Sequence, residues 1–125
     1  MNELLTRQAV YSGSGDLVSI VELYDNARQL YPLDEAFDEA VAVLKWVVSS
    51  GLMEVGTVGQ DGAWKPIVGS LEEALTEVAT AYREDPRPAG EGRWMYMFWL
   101  QNTKAGNLAA GRLTDAEVEQ FDIFY

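Results

Sequence analysis

Apolar residues recur at helical spacing in the first third of the chain. Across residues 17–31, one face is formed by Leu17, Ile20, Val21, Tyr24 and Ala27. This period of three to four residues predicts an amphipathic helix. We expect the helix to begin after Gly15–Asp16 and to end before Pro32, because proline disfavours a helical conformation in the residue that precedes it. Residues 12–15, SGSG, are typical of a flexible break ahead of this helix.

Two further helices are predicted by different patterns. The segment 33–50 begins with acidic residues, which suit the positive end of a helix dipole: Asp34, Glu35, Asp38 and Glu39. It then becomes apolar on nearly every side, which predicts a central helix that is ended by Gly51. The segment 70–84 begins with a capping-box pair, Ser70 and Glu73, and continues with a single apolar stripe.

The pattern between and after these helices is that of strands. Residues 52–58 alternate between apolar and polar, and Asp61–Gly62 supply a turn, so we predict a β-hairpin there. Residues 94–100 are apolar without interruption. This predicts a strand that is central in its sheet, covered by an inserted segment, or part of an interface.

The end of the chain predicts two short helices, one after Thr103 and one that begins with the capping-box pair Thr114 and Glu117. The terminal segment FDIFY, residues 121–125, is apolar enough to dock on the rest of the protein. Taken together, the pattern predicts an α+β fold with three to five helices and a small antiparallel sheet. At this length we expect one domain, spanning residues 1–125.

Charge narrows the range of partners. Twenty Asp and Glu residues against nine Lys and Arg residues, with no histidine, give a formal net charge of −11. Such a surface repels phosphate backbones and attracts cations or basic proteins, although an excess of acid also serves solubility alone. No segment is as long and apolar as a signal sequence or a membrane span. We therefore predict a cytoplasmic protein that binds neither nucleic acid nor membrane.

Two stretches resemble parts of winged-helix domains: VLKWVVSSGLMEVGTV, residues 43–58, and MFWLQNTKAGNLAAGRL, residues 97–113. In that family a helix, a Gly-Leu step and a strand precede the wing, and a T-x-x-G-x-x-A helix follows the closing strand. The resemblance covers about half of the chain. It implies a winged-helix-like fold in which a helical insertion, residues 70–84, fills the wing.

The chain departs from the DNA-binding members of that family where they would read bases. The helix that enters the major groove presents Arg, Lys, Asn or Gln to base edges. Here the corresponding helix begins with four carboxylates, and its only basic residue is Lys45. Acidic residues also outnumber basic ones between the two proposed wing strands, residues 59–93. We expect no DNA binding.

Few residues are suited to catalysis. Without histidine and cysteine, the usual general bases, catalytic triads and zinc sites cannot be built. The sequence also has no glycine-rich phosphate loop, so we predict neither a cofactor nor an enzymatic activity. Carboxylates four residues apart, as in Asp34/Asp38, could share a proton or hold a divalent cation, but an exposed acidic first turn is the commoner arrangement.

The remaining candidates are residues that would bind a partner. Trp64 lies beside Asp61 in the predicted turn, where a core position is least natural for a tryptophan. Exposed aromatic residues ringed by acids are suited to a basic partner, because the ring supplies buried area and the carboxylates steer and pair. The predicted partner-binding residues are Asp34, Glu35, Asp38, Asp61, Trp64, Glu72, Glu73 and Glu77. If they do not bind, the apolar MYMFW stretch or the FDIFY segment is the next candidate.

A small acidic protein without histidine and cysteine is similar in type to the immunity proteins that bacteria make against polymorphic or contact-dependent toxins. Toxin domains that act on nucleic acids are frequently basic around the active site, so an acidic inhibitor would dock rapidly on them. Two alternatives stay open: a degenerate winged-helix regulator or adaptor that binds protein, and an inhibitor that mimics nucleic acid.

Overall fold

A computed structural model describes residues 2–86 and 92–125, which form an α+β arrangement. The α-helices of the described residues are α1 (Glu3–Gly13), α2 (Ile20–Ala27), α3 (Leu33–Ser49), α4 (Leu71–Glu84), α5 (Lys104–Gly111) and α6 (Asp115–Glu119). Two short 3-10 helices span Arg93–Tyr96 and Gln120–Phe124. The strands are β1 (Val18–Ser19), β2 (Met53–Val58), β3 (Trp64–Pro66) and β4 (Trp99–Asn102).

The four strands form one antiparallel sheet in the order β1-β4-β2-β3. Leu100 of β4 lies opposite Val18 on one side and Val55 on the other, and all three are buried. The inner face of the sheet therefore packs on the helices. The predicted hairpin is confirmed, because Thr57 of β2 pairs with Lys65 of β3.

The prediction of a strand over residues 94–100 is partly wrong. The backbone forms a 3-10 helix through Tyr96 before β4 begins at Trp99. The short helix buries Trp94 completely, and its indole N–H donates to the carbonyl oxygen of Asp85 at 3.0 Å. The strand itself is central, since β4 has β1 and β2 as neighbours.

The count of three to five helices is also wrong, since the described residues contain six α-helices. The additional one is α1, which includes Ser12 and Gly13 of the predicted flexible break. The next helix begins later than expected, because Ser19 accepts the N–H of Glu22 and caps α2 in place of Gly15–Asp16.

The long helix α3 is confirmed almost residue for residue. Its end is fixed by Gly51, which adopts a φ of +80° that disfavours other residues. The N–H of Gly51 donates to Val48, and the N–H of Leu52 donates to Val47. These two bonds form a Schellman motif, which satisfies carbonyl groups that a helix end otherwise leaves free.

Helix α4 is held to the core by aromatic packing near its C-terminal end. Tyr82 stacks on Phe37 of α3, with ring centroids 3.8 Å apart and planes 7° apart. Trp94 meets the rings of Phe37, Tyr82 and Tyr24 edge-on at 5.1–5.6 Å. Burial, and after it the neighbouring Tyr24, raises the pKa of Tyr82. This cluster anchors α4.

The terminal segment docks in part. Phe121 is buried, and the hydroxyl of Tyr125 accepts a hydrogen bond from Gln8 at 3.1 Å. Thr114 and Glu117 form the complete capping box that was predicted for α6. No helix in the described ranges has the length and apolar character needed to cross a bilayer.

Candidate partner-binding surface

The T-x-x-G element, residues 103–106, packs against other parts of the chain. Thr103 caps α5 by accepting the N–H of Gly106 at 3.1 Å, and its hydroxyl donates to the carbonyl oxygen of Gly51 at 2.6 Å. Its backbone N–H also donates to Leu52. Thr103 therefore connects the start of α5 to the end of α3 by hydrogen bonds.

Glycine is required at position 106 because the backbone of Leu52 lies against it. A Cβ placed on Gly106 would lie 2.1 Å from the carbonyl oxygen of Leu52. Beside it, buried Asn102 donates to Val10 of α1 and to the side chain of Asn107. The polar residues of this stretch thus bind other parts of the chain.

The acidic start of α3 faces solvent. Asp34, Glu35 and Asp38 are exposed, and the Glu35 carboxylate makes no hydrogen bond or ion pair within the part of the chain that the structure describes. Glu39 differs, because it accepts the backbone N–H of Asn2, the residue that caps α1. Asp38 and Asp34 lie near Tyr82 and are minor contributors to its raised pKa.

The acidic start of α4 lies at the other end of α3. Glu72 forms an exposed ion pair with Lys45 at 3.6 Å. Glu73 gives its backbone N–H to the Ser70 hydroxyl, which in turn donates to the Glu73 carboxylate at 3.2 Å. The predicted capping box is therefore only half formed, since the carboxylate binds the hydroxyl of Ser70. Glu77 has no partner among the described residues.

Trp64 does not stand in the turn, where it was predicted; it is the first residue of β3. It is half-buried, and its indole N–H donates to the carbonyl oxygen of Trp99 at 3.1 Å. Its ring lies over Gly56, where a Cβ would come within 2.4 Å of it. Asp61 does belong to the turn, and it accepts the N–H of Ala63.

A groove of about 360 Å³ lies between β3 and α4, and we call it the hairpin–α4 groove. Its apolar lining includes Ile67, Val68 and Phe98, and its charged lining consists of Lys65, Glu73 and Glu77. Phe98 is nearly buried, whereas Val68 is fully exposed. The groove thus combines an apolar floor with carboxylates on one wall.

The six predicted site residues on helices fall into two groups, and the other two, Asp61 and Trp64, lie in the hairpin. Phe37 contacts Tyr82 and Lys45 contacts Glu72, so α3 and α4 run antiparallel. Asp38 and Lys45 are seven residues apart, which corresponds to roughly 10 Å along a helix. Asp34, Glu35 and Asp38 therefore lie at one end of this pair of helices. At the other end lie Glu72, Glu73 and Glu77.

Sequence reasoning did not identify Lys65 or Val68 as site residues. The sequence offers only a weak signal for them, a hairpin followed directly by a capped helix, which leaves space between the two elements. Phe98 belongs to the MYMFW stretch, which the sequence indicates only as an alternative interface. The same stretch contains the exposed Tyr96, which stacks on Trp99 with centroids 5.7 Å apart.

In the described ranges no three Asp or Glu side chains are grouped as metal ligands would be. No family model, curated protein or solved structure gives a significant match to this chain. The function proposed below therefore depends on the residues and geometry described above.

Proposed function

We propose that this protein binds a basic protein through the exposed carboxylates of α3 and α4, and that it serves as an immunity protein that neutralises a toxin domain. The observation that carries the proposal is the exposure of Asp34, Glu35 and Asp38 at the start of α3. They are available for pairing with lysine and arginine, and in the net field of a chain with charge −11 they would steer such a partner.

The same carboxylates argue against a role in reading DNA. We propose a winged-helix-like fold, supported by the adjacent positions of β2 and β4, which correspond to the two proposed wing strands. In a DNA-binding relative of that fold, the helix before the first wing strand would need donors and positive charge. A regulator or adaptor that binds protein is the second candidate, and the same strand arrangement favours it.

The direct test is co-expression with the protein encoded next to this chain in its genome. We expect the C-terminal domain of that neighbour to arrest growth when it is expressed alone, and growth to be restored by this protein. The purified pair should form a complex whose affinity falls with added salt. Growth arrest that persists at equal expression, with no complex at low salt, would contradict the immunity role.

Two matched double variants distinguish protection that depends on the α3 carboxylates from an effect of overall acidity. Asp34→Asn with Asp38→Asn removes two carboxylates from α3, and Asp115→Asn with Glu119→Gln removes two exposed carboxylates from α6. Both double variants change the net charge by the same amount. Only the α3 variant should lose protection, whereas equal losses would indicate that overall acidity alone is responsible.

A further inference from the structure

We infer that the hairpin–α4 groove seats one arginine or lysine side chain of the basic partner, an inference that rests on the proposed function. The groove's volume of about 360 Å³ is near the lower end of the roughly 300–1,000 Å³ typical of ligand sites. It suits a single long side chain better than a large ligand.

The apolar part of the groove matches the stem of such a side chain. Lys and Arg pack their methylene groups on apolar surface and keep the charged head near polar groups. Ile67 and the nearly buried Phe98 form apolar surface in the groove, and Val68 is an exposed apolar residue in its lining. A valine that is fully exposed contributes little to folding, so its apolar surface is available for binding.

The charged part matches the head. Glu73 and Glu77 are four residues apart and so share one face of α4. Glu77 has no partner among the described residues, and Glu73 uses only Oε1 for the Ser70 hydroxyl. With Lys65 opposite, two negative charges and one positive charge leave the groove with a net charge of −1. One cationic side chain neutralises it.

The test uses a blocked arginine, N-acetyl-arginine amide, as the probe, and the neutral isostere N-acetyl-citrulline amide as its control. In a 15N NMR titration we expect saturable shifts at Val68, Glu77 and Phe98 with arginine and none with citrulline. Equal shifts with both probes, or shifts confined to the start of α3, would overturn the inference.

The chain offers a control one turn away on the same helix. Glu77→Gln removes a carboxylate from the groove, and Glu72→Gln removes one that pairs with Lys45 outside it. Glu77→Gln should weaken binding of the probe and of the protein partner about tenfold, corresponding to about 1.4 kcal/mol. Glu72→Gln, which lies outside the groove, should change the affinity for the probe less than twofold. Val68→Ser should also weaken binding while leaving the melting temperature unchanged.

The two proposals fail in different ways. If a basic partner binds and Glu77→Gln does not weaken that binding, the groove is not the seat, but the proposed function stands. If arginine occupies the groove but the neighbour-encoded protein neither binds nor is neutralised, the proposed function is contradicted, and with it the assignment of the groove to that partner.

Discussion

The two ends of helix α4 differ in what surrounds them. Near its C-terminal end Tyr82 stacks on Phe37, and fully buried Trp94 closes the cluster. Near its N-terminal end Ala74 is buried, but the Lys45–Glu72 pair is exposed, and the hairpin–α4 groove lies on this side of the helix. The aromatic end anchors α4, and the other end leaves carboxylates and an apolar floor uncovered. Substitutions at the two ends should therefore affect different properties.

The largest effect is expected at the anchored end. Trp94→Ala should lower the free energy of unfolding by about 3–5 kcal/mol, because it empties a buried site that three rings surround. Urea denaturation followed by circular dichroism measures this loss. Trp46→Ala removes a tryptophan that is 41% exposed and should cost much less. Equal losses would show that the aromatic cluster is not the anchor.

A second substitution tests whether the T-x-x-G element acts in packing. Gly106→Ala should lower the free energy of unfolding by roughly 1–3 kcal/mol, because the new methyl group meets the Leu52 carbonyl oxygen. Gly111→Ala, at the other end of α5, meets nothing within 4 Å. It should raise stability by up to about 1 kcal/mol. A stable Gly106→Ala protein that loses partner binding would instead place the element in the interface.

The ion pair at the open end should contribute least. A double-mutant cycle with Lys45→Met and Glu72→Gln should give a coupling energy of about 0.2–1 kcal/mol, since both side chains are more than half exposed. Thermal denaturation of the four proteins provides the values. A coupling of several kcal/mol would mean that α4 is anchored at both ends.

Glu22 lies in the first turn of α2 and is half-buried, in contrast to the exposed carboxylates at the starts of α3 and α4. Burial raises its pKa above the usual 4.5, against the lowering effect of the Ser12 hydroxyl. The folded state therefore binds the proton more tightly than the unfolded state, and the stability from Glu22 is lost as pH rises above 4.5 through the folded-state pKa. Relative to Glu22→Gln, the wild type should lose stability between pH 4 and pH 7, as measured by urea denaturation. A difference that stays constant would contradict this sign.

The sequence predicts the elements that follow local rules. Helix α3, the hairpin and the cap of α6 are set by apolar spacing, turn residues and capping pairs within a few positions. Helix α1 was missed because its buried face includes the polar Gln8, which bonds to Asn26 and Tyr125 far along the chain. A helical stripe cannot be recognised when tertiary hydrogen bonds make a polar residue part of the core.

The candidate site was predictable only in part, for a related reason. The exposed carboxylates follow from helix starts, which the sequence marks. Trp64 was assigned to a turn because nothing local shows that Gly56, across the hairpin, makes room for its ring. The exposure of Val68 likewise depends on the groove between β3 and α4, which no local pattern in the sequence shows.

The most direct test of the central claim is the association rate of the neighbour-encoded basic protein, measured by surface plasmon resonance at two salt concentrations. Asp34→Asn with Asp38→Asn should slow association severalfold at low salt, and the difference from wild type should shrink at high salt. Asp115→Asn with Glu119→Gln, with the same net charge, should associate nearly as fast as wild type. Equal rates for the two double variants would contradict the claim that the acidic start of α3 faces the partner.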